Sequence, residues 1–121
     1  MASIYDQIGG DDAMQAAVEI FYRKVLSDDL VAHFFDDTDM DRQMAMQSSF
    51  LTMVTGGPHH YTGLDMRQAH KHLVDRGLTD EHFDAILHHL GATLLELGVP
   101  EELVDEVGAV ASSTREDVLN R

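Results

Sequence analysis

Four polar side chains stand where an apolar residue would suit a helical stripe: Tyr22, Gln43, Gln47 and His70. Burying such a group without a partner costs about 1 to 3 kcal/mol, so each is either satisfied within the fold or turned toward something polar. An imidazole can give one nitrogen to a metal; a phenol and two amides can donate hydrogen bonds to a small polar ligand. The spacing of His70 alone leaves two readings open, a hydrogen-bonded core histidine and a ligand. Zinc needs two or three further His, Asp or Glu ligands beside it, and the other histidines do not supply them. His70 and His72 point to different faces of a helix, while His82, His88 and His89 have neither an HExxH spacing nor an ExxH partner. A single imidazole in an apolar cleft suits haem, whose porphyrin brings four ligands of its own. Arg67, Lys71 and Arg76, three of only eight basic residues, flank His70 and could face two propionates; a helix also carries cations toward its C-terminus for its dipole. His59, His60, His88 and His89 read as solvent-facing, and His33 has no assigned task.

These residues must be held by helices. Apolar residues recur at Met14, Ala17, Val18, Phe21, Tyr22 and Val25 behind Asp11 and Asp12 as caps. A corner with Leu30, Val31, Phe34 and Phe35 follows, and the run Asp36-Asp37-Thr38-Asp39 offers caps for a helix from about Met40 to Val54. That helix carries Met40, Met44, Gln47, Leu51 and Val54 on one stripe, with Gln43 and Phe50 beside it, and Gly56-Gly57-Pro58 stops it. Asp65 can cap a short helix with Met66, Ala69, His70 and Leu73 inward, ended by Gly77. Thr79 can cap a helix bearing Phe83, Ile86, Leu87, Leu90, Leu94 and Leu97, closed by Gly98. Pro100 suits the first turn of a last helix with Leu103, Val107, Val110, Ala111, Thr114 and Val118 on its stripe. The pattern predicts an all-α fold of about five substantial helices.

The bulk composition bounds the rest. A chain of 121 residues with 44% apolar residues has material for one domain, expected over 1–121. Its formal charge of −14 repels phosphate backbones and anionic lipid, so neither nucleic acid nor membrane is an expected partner. No run of apolar residues is long enough to span a bilayer, and no export signal is read at the N-terminus. The absence of cysteine excludes disulfides and thiolate sites and suits a cytoplasmic protein.

Taken in order, Ile4-Tyr5-Asp6-Gln7-Ile8-Gly9-Gly10, Phe21-Tyr22 with Val25-Leu26, His33-Phe34-Phe35, Thr38-Asp39-Met40 with Gln43, Phe50, Gly56-Gly57, Gly63 to His70 and Leu78 to Phe83 resemble the group I truncated haemoglobins. The resemblance spans essentially the whole chain and implies a two-over-two helical sandwich around haem. It implies His70 as the proximal iron ligand and Tyr22, Gln43 and Gln47 as the distal donors. Phe35 would pack on the haem, with Phe34 as the alternative one residue away, and Phe50 would border an apolar ligand channel. Met46, Tyr61, Met66, Arg67, Lys71, Leu73, Phe83, Ile86 and Leu87 are further implied haem neighbours.

Two departures from relatives matter. Met46 stands where some carry a distal histidine, which argues against bis-histidyl iron, and no histidine follows His89 to attach haem covalently. The resemblance therefore implies non-covalent haem b and iron, in a monomer that binds O2, CO or NO for oxygen binding, storage or transport. Nitric oxide dioxygenase chemistry with an external reductase is the alternative enzyme reading; a haem-free helical interaction module is the alternative of another class.

Overall fold

The computed structural model describes residues 3–57 and 63–120, with the side chains of residues 64–66, 69 and 72 outside the description. Seven α-helices follow in order among the described residues: α1 (Ile4–Ile8), α2 (Gly10–Leu26), α3 (Met40–Val54), α4 (Gly63–Asp75), α5 (Asp80–Glu96), α6 (Glu101–Ser112) and α7 (Arg115–Val118). A 3-10 turn, Ala32–Phe35, makes the corner between α2 and α3, and the described residues contain no strand.

The solid part of the core is built on α2. Its stripe Met14, Ala17, Val18, Phe21, Tyr22 and Val25 is entirely buried, because residues spaced three and four apart share one face. That face packs against α3 and α5, and α5 in turn packs on α6. Leu51 and Val54 from α3, Leu90 and Leu94 from α5, and Val107 and Ala111 from α6 complete the cluster. The Asp11 and Asp12 carboxylates sit in the first turn of α2 and Arg23 and Lys24 in the last, each favourable to the helix dipole. The N-cap is Gly9, not an aspartate: α2 begins at Gly10, directly after α1, and leaves both acids inside the helix.

Elsewhere the caps follow the side-chain chemistry. Asp39 accepts the Arg42 backbone N–H and opens α3. At the start of α5 the Thr79 backbone N–H donates to His82 Nδ1 at 3.0 Å, in the reciprocal arrangement of a capping box. Ser3 caps α1, whose Tyr5 N–H reaches across to the Thr55 carbonyl at 2.8 Å. Gly57 is required at this junction, since a Cβ there would lie 2.6 Å from the Tyr5 ring and 2.8 Å from Thr52 Cγ2.

Three expectations shift. α4 starts at Gly63, so Asp65 lies within it and does not cap it. The last stripe is broken into α6 and α7 around Ser113 and Thr114. Leu97 and Val110, both placed inward by spacing, are exposed; Leu97 falls at the C-cap of α5, and Val110 stands beside the buried Val107–Ala111 line.

Candidate functional site

On the side of the molecule where α3, α4, α5 and α7 meet the 3-10 corner, the packing opens into a cavity of about 420 Å³. Its size is that of a pocket for an organic ligand. Apolar side chains form most of its walls: Phe21, Val31, Phe34, Phe35, Phe50, Leu73, Leu78, Phe83, Ile86, Leu87 and Leu90. Into it come Tyr22 from α2, Gln43, Met46 and Gln47 from α3, and His70 from α4. Four of the polar residues singled out by spacing thus share one chamber.

Tyr22 is the most tightly held of them. Only 3% exposed, it packs edge-on against Phe21 at 5.0 Å and against Phe35 at 5.6 Å between ring centroids. Its hydroxyl oxygen accepts a hydrogen bond from Gln43 Nε2 at 2.9 Å. That bond offsets the cost of burying the phenol, and an oxygen that accepts such a bond makes its own O–H a stronger donor. The geometry of α3 explains the set: Gln43, Gln47 and Phe50 recur at four and three residues and so share the cavity face. Both Phe34 and Phe35 line the cavity; Phe34 is buried, while Phe35 is the one against Tyr22.

The basic residues are arranged differently. Arg67 and Lys71 are not among the lining residues; Arg67 Nε donates to Asp117 Oδ1 at 2.8 Å, and Lys71 is exposed. Among the described residues, the Lys or Arg that lines the cavity is Arg42, beside Asp37, Thr38 and Asp39. Arg42 precedes Met46 by four residues and shares its helix face, which is the signal that could have found it. Gln68, Thr114 and Val118 are further lining residues that attention to His70 passed over; Thr114 and Val118 are themselves an i, i+4 pair. Tyr61 lies outside the described residues, as does the side chain of Met66.

Of the remaining histidines, His89 is half-buried and not solvent-facing, because Asp28 comes within 2.7 Å of its Nε2 from the α2 corner. The His89 bond and the Leu30 N–H hold the Asp28 carboxyl below its ordinary pKa. His33 stacks on Phe34 at 4.2 Å, and His82 serves the α5 cap. No cluster of three or more His, Cys, Asp or Glu able to hold a metal occurs among the described residues. One imidazole with aromatic and aliphatic walls fits a flat, apolar cofactor that brings its own metal and four of its ligands.

Known proteins agree with that donor set. The bacterial-like globin family matches residues 3–120. The group 1 truncated hemoglobin of Tetrahymena pyriformis is 50% identical over 119 residues, covering 98% of this chain and 96% of its own length. That of Synechocystis is 50% identical over 124 residues and covers all of both chains. The chain belongs to the group 1 truncated haemoglobins. Its helices superpose on the 2/2 hemoglobin from Synechococcus, solved in the cyanomet state with covalently attached heme, with a TM-score of 0.92 at 48% identity, covering 99% of this chain and all of that one. The two-over-two globin architecture and the place of the chain among haem globins follow. As a truncated haemoglobin it also explains why so short a chain devotes α3, α4 and α5 to one chamber.

Proposed function

We propose that the chain binds O2, and with it CO and NO, reversibly at the iron of a non-covalently held haem b whose protein ligand is His70. The observation that carries this reading is the convergence on one apolar cavity of His70 from α4 and the hydrogen-bonded pair Tyr22 and Gln43 from α2 and α3. Haem supplies, when bound, a metal able to take a diatomic ligand, which no side chain here can do.

The protein groups then divide the work. His70 offers a neutral imidazole nitrogen. Leu73, Phe83, Ile86 and Leu87 give apolar contact and keep water out. Tyr22, made a better donor by Gln43, hydrogen-bonds a polarised ligand, and Gln47 adds a second amide within the same wall. Phe50 and Met46 fill space beside them. Arg42 is the cation suited to a propionate, since Arg67 is engaged by Asp117. Non-covalent binding is supported by the sequence, which has no cysteine and no histidine after His89. In this reading residues 1–121 form one globin domain that acts as a cytoplasmic monomer.

The test is reconstitution of the purified protein with haem. Wild type is expected to develop a Soret band that shifts on reduction and again with CO. His70→Ala is expected to lose the spectrum of imidazole-ligated iron and regain it with added imidazole. An unchanged spectrum in His70→Ala would overturn the assignment.

A further inference from the structure

The C-terminal helix α7 is only four residues long, yet side chains in and next to it fasten two of the helices that wall the cavity. Toward α5, Arg115 donates from one guanidinium nitrogen to Asp80 Oδ1 at 2.9 Å and from the other to Asp84 Oδ1 at 2.6 Å, with its guanidinium 4.5 Å over the centre of the Phe83 ring. Toward α4, Asp117 Oδ1 accepts from Arg67 Nε at 2.8 Å, and Asn120 Nδ2 donates to the Arg67 backbone carbonyl at 3.1 Å. Asn120 adopts a left-handed conformation with φ of 55°, which asparagine tolerates better than most residues. α7 is itself fixed by apolar packing, since Val118 lines the cavity and Leu119 joins Phe83 in a small buried cluster.

These two hydrogen bonds to α4 fall on one residue, Arg67, which stands three positions before His70. Residues three apart share a helix face, so Arg67 is one turn from the imidazole. A bond to its side chain and another to its main chain together restrict both the rotation of α4 about its axis and its slide along it. The Arg67 and Asp117 side chains are 38% and 36% exposed, and ion pairs of that exposure add little to stability. Their consequence is geometric.

We propose that Asp117 and Asn120 are positioning residues for His70: by holding Arg67 they set the orientation of α4 and hence the angle at which the imidazole meets the iron. The inference rests on the reading of His70 as the haem ligand. Groups that hydrogen-bond a metal ligand directly change metal affinity by about 10- to 100-fold when removed, and residues acting one step further out, through Arg67, should fall at the lower end.

The experiment compares wild type with Asp117→Asn and Asn120→Ala, singly and together, reconstituted with haem. Two quantities are read: the iron–histidine stretching band in resonance Raman after photolysis of the CO form, and the rate of haem transfer to an acceptor apoglobin. The double variant is expected to broaden and shift the band and to release haem about tenfold faster. Asp117→Glu, which keeps the charge, is expected to restore both toward wild type. Arg115→Ala removes the polar bonds from α7 to α5 instead and should leave the band in place even if the protein melts earlier. A band and release rate identical to wild type in the double variant would overturn the proposal, as would an equal band shift in Arg115→Ala. Absence of any iron–histidine band in wild type would instead overturn the assignment of His70, and the proposal with it.

Discussion

The two sides of this small protein are built to different rules. Around α2, Met14, Val25, Leu94 and Val107 are all at 0% exposure, and helix faces close on one another without remainder. Around the cavity, Gln43, Met46, Gln47, Phe50, His70, Ile86 and Leu87 remain half-buried although most lie on helical stripes of the same kind. α3 and α5 belong to both. The C-terminal half of α3 buries Leu51, Thr52 and Val54, whereas its N-terminal half turns Gln43, Met46 and Gln47 to the cavity. One stripe can thus serve as core at one end and as binding wall at the other; the core end takes only threonines whose hydroxyls bond the helix backbone, such as Thr52 to the Ser48 carbonyl, whereas the amides stand at the second.

That contrast can be broken by mutation. Leu94→Ala on the packed side should cost about 3 kcal/mol of unfolding free energy in urea, because nothing can collapse into the space left. Leu87→Ala, on the same helix but at the cavity, should cost less than half as much in the haem-free protein. Equal losses would contradict the division. Gly57→Ala should come next, at about 2 kcal/mol by thermal melting, since its methyl would have to displace the Tyr5 ring or Thr52 where α1 meets α3.

On the cavity side the effects appear in ligand kinetics and not in stability. Tyr22→Phe should raise the O2 dissociation rate about tenfold, the equivalent of one hydrogen bond, and Gln43→Leu should raise it by less. Stopped-flow ligand displacement reads both, and unchanged rates would remove Tyr22 and Gln43 from the ligand site.

The smallest expected effect is on pH dependence. The Asp28 carboxyl is held below its ordinary pKa by His89 and the Leu30 N–H. Its contribution to stability is therefore present above the unfolded carboxylate range and lost as pH falls through the lower folded value. Asp28→Asn should make stability fall less steeply in that acid range. An unaltered acid limb would mean the pair is not felt in solution.

Much of this organisation was legible in the residues. α2 and α5 could be read because their stripes are long and uninterrupted, and Asp39 and Thr79 mark helix starts by their side-chain chemistry. The five-residue α1 could not, since it depends on the tertiary bond from Tyr5 to Thr55. Nor could the break before α7, because Ala111, Thr114 and Val118 keep helical spacing across it. At the site, Tyr22, Gln43, Gln47 and His70 betrayed themselves as polar groups on apolar stripes. Arg42 gave a weaker sign, its i, i+4 relation to Met46: a charged residue near a helix start otherwise looks like any surface residue until the fold turns its face to the cavity. The engagement of Arg67 by Asp117 was equally hidden, as fifty positions separate the partners.

The central claim is that the cavity holds haem through His70, and the absorption spectrum of the haem-titrated protein tests it most directly. Ferric, ferrous and CO-bound forms should each give the bands of haem with one imidazole ligand, saturating at one haem per chain. A protein that stays colourless, or whose bands are those of free haem in buffer, would contradict it.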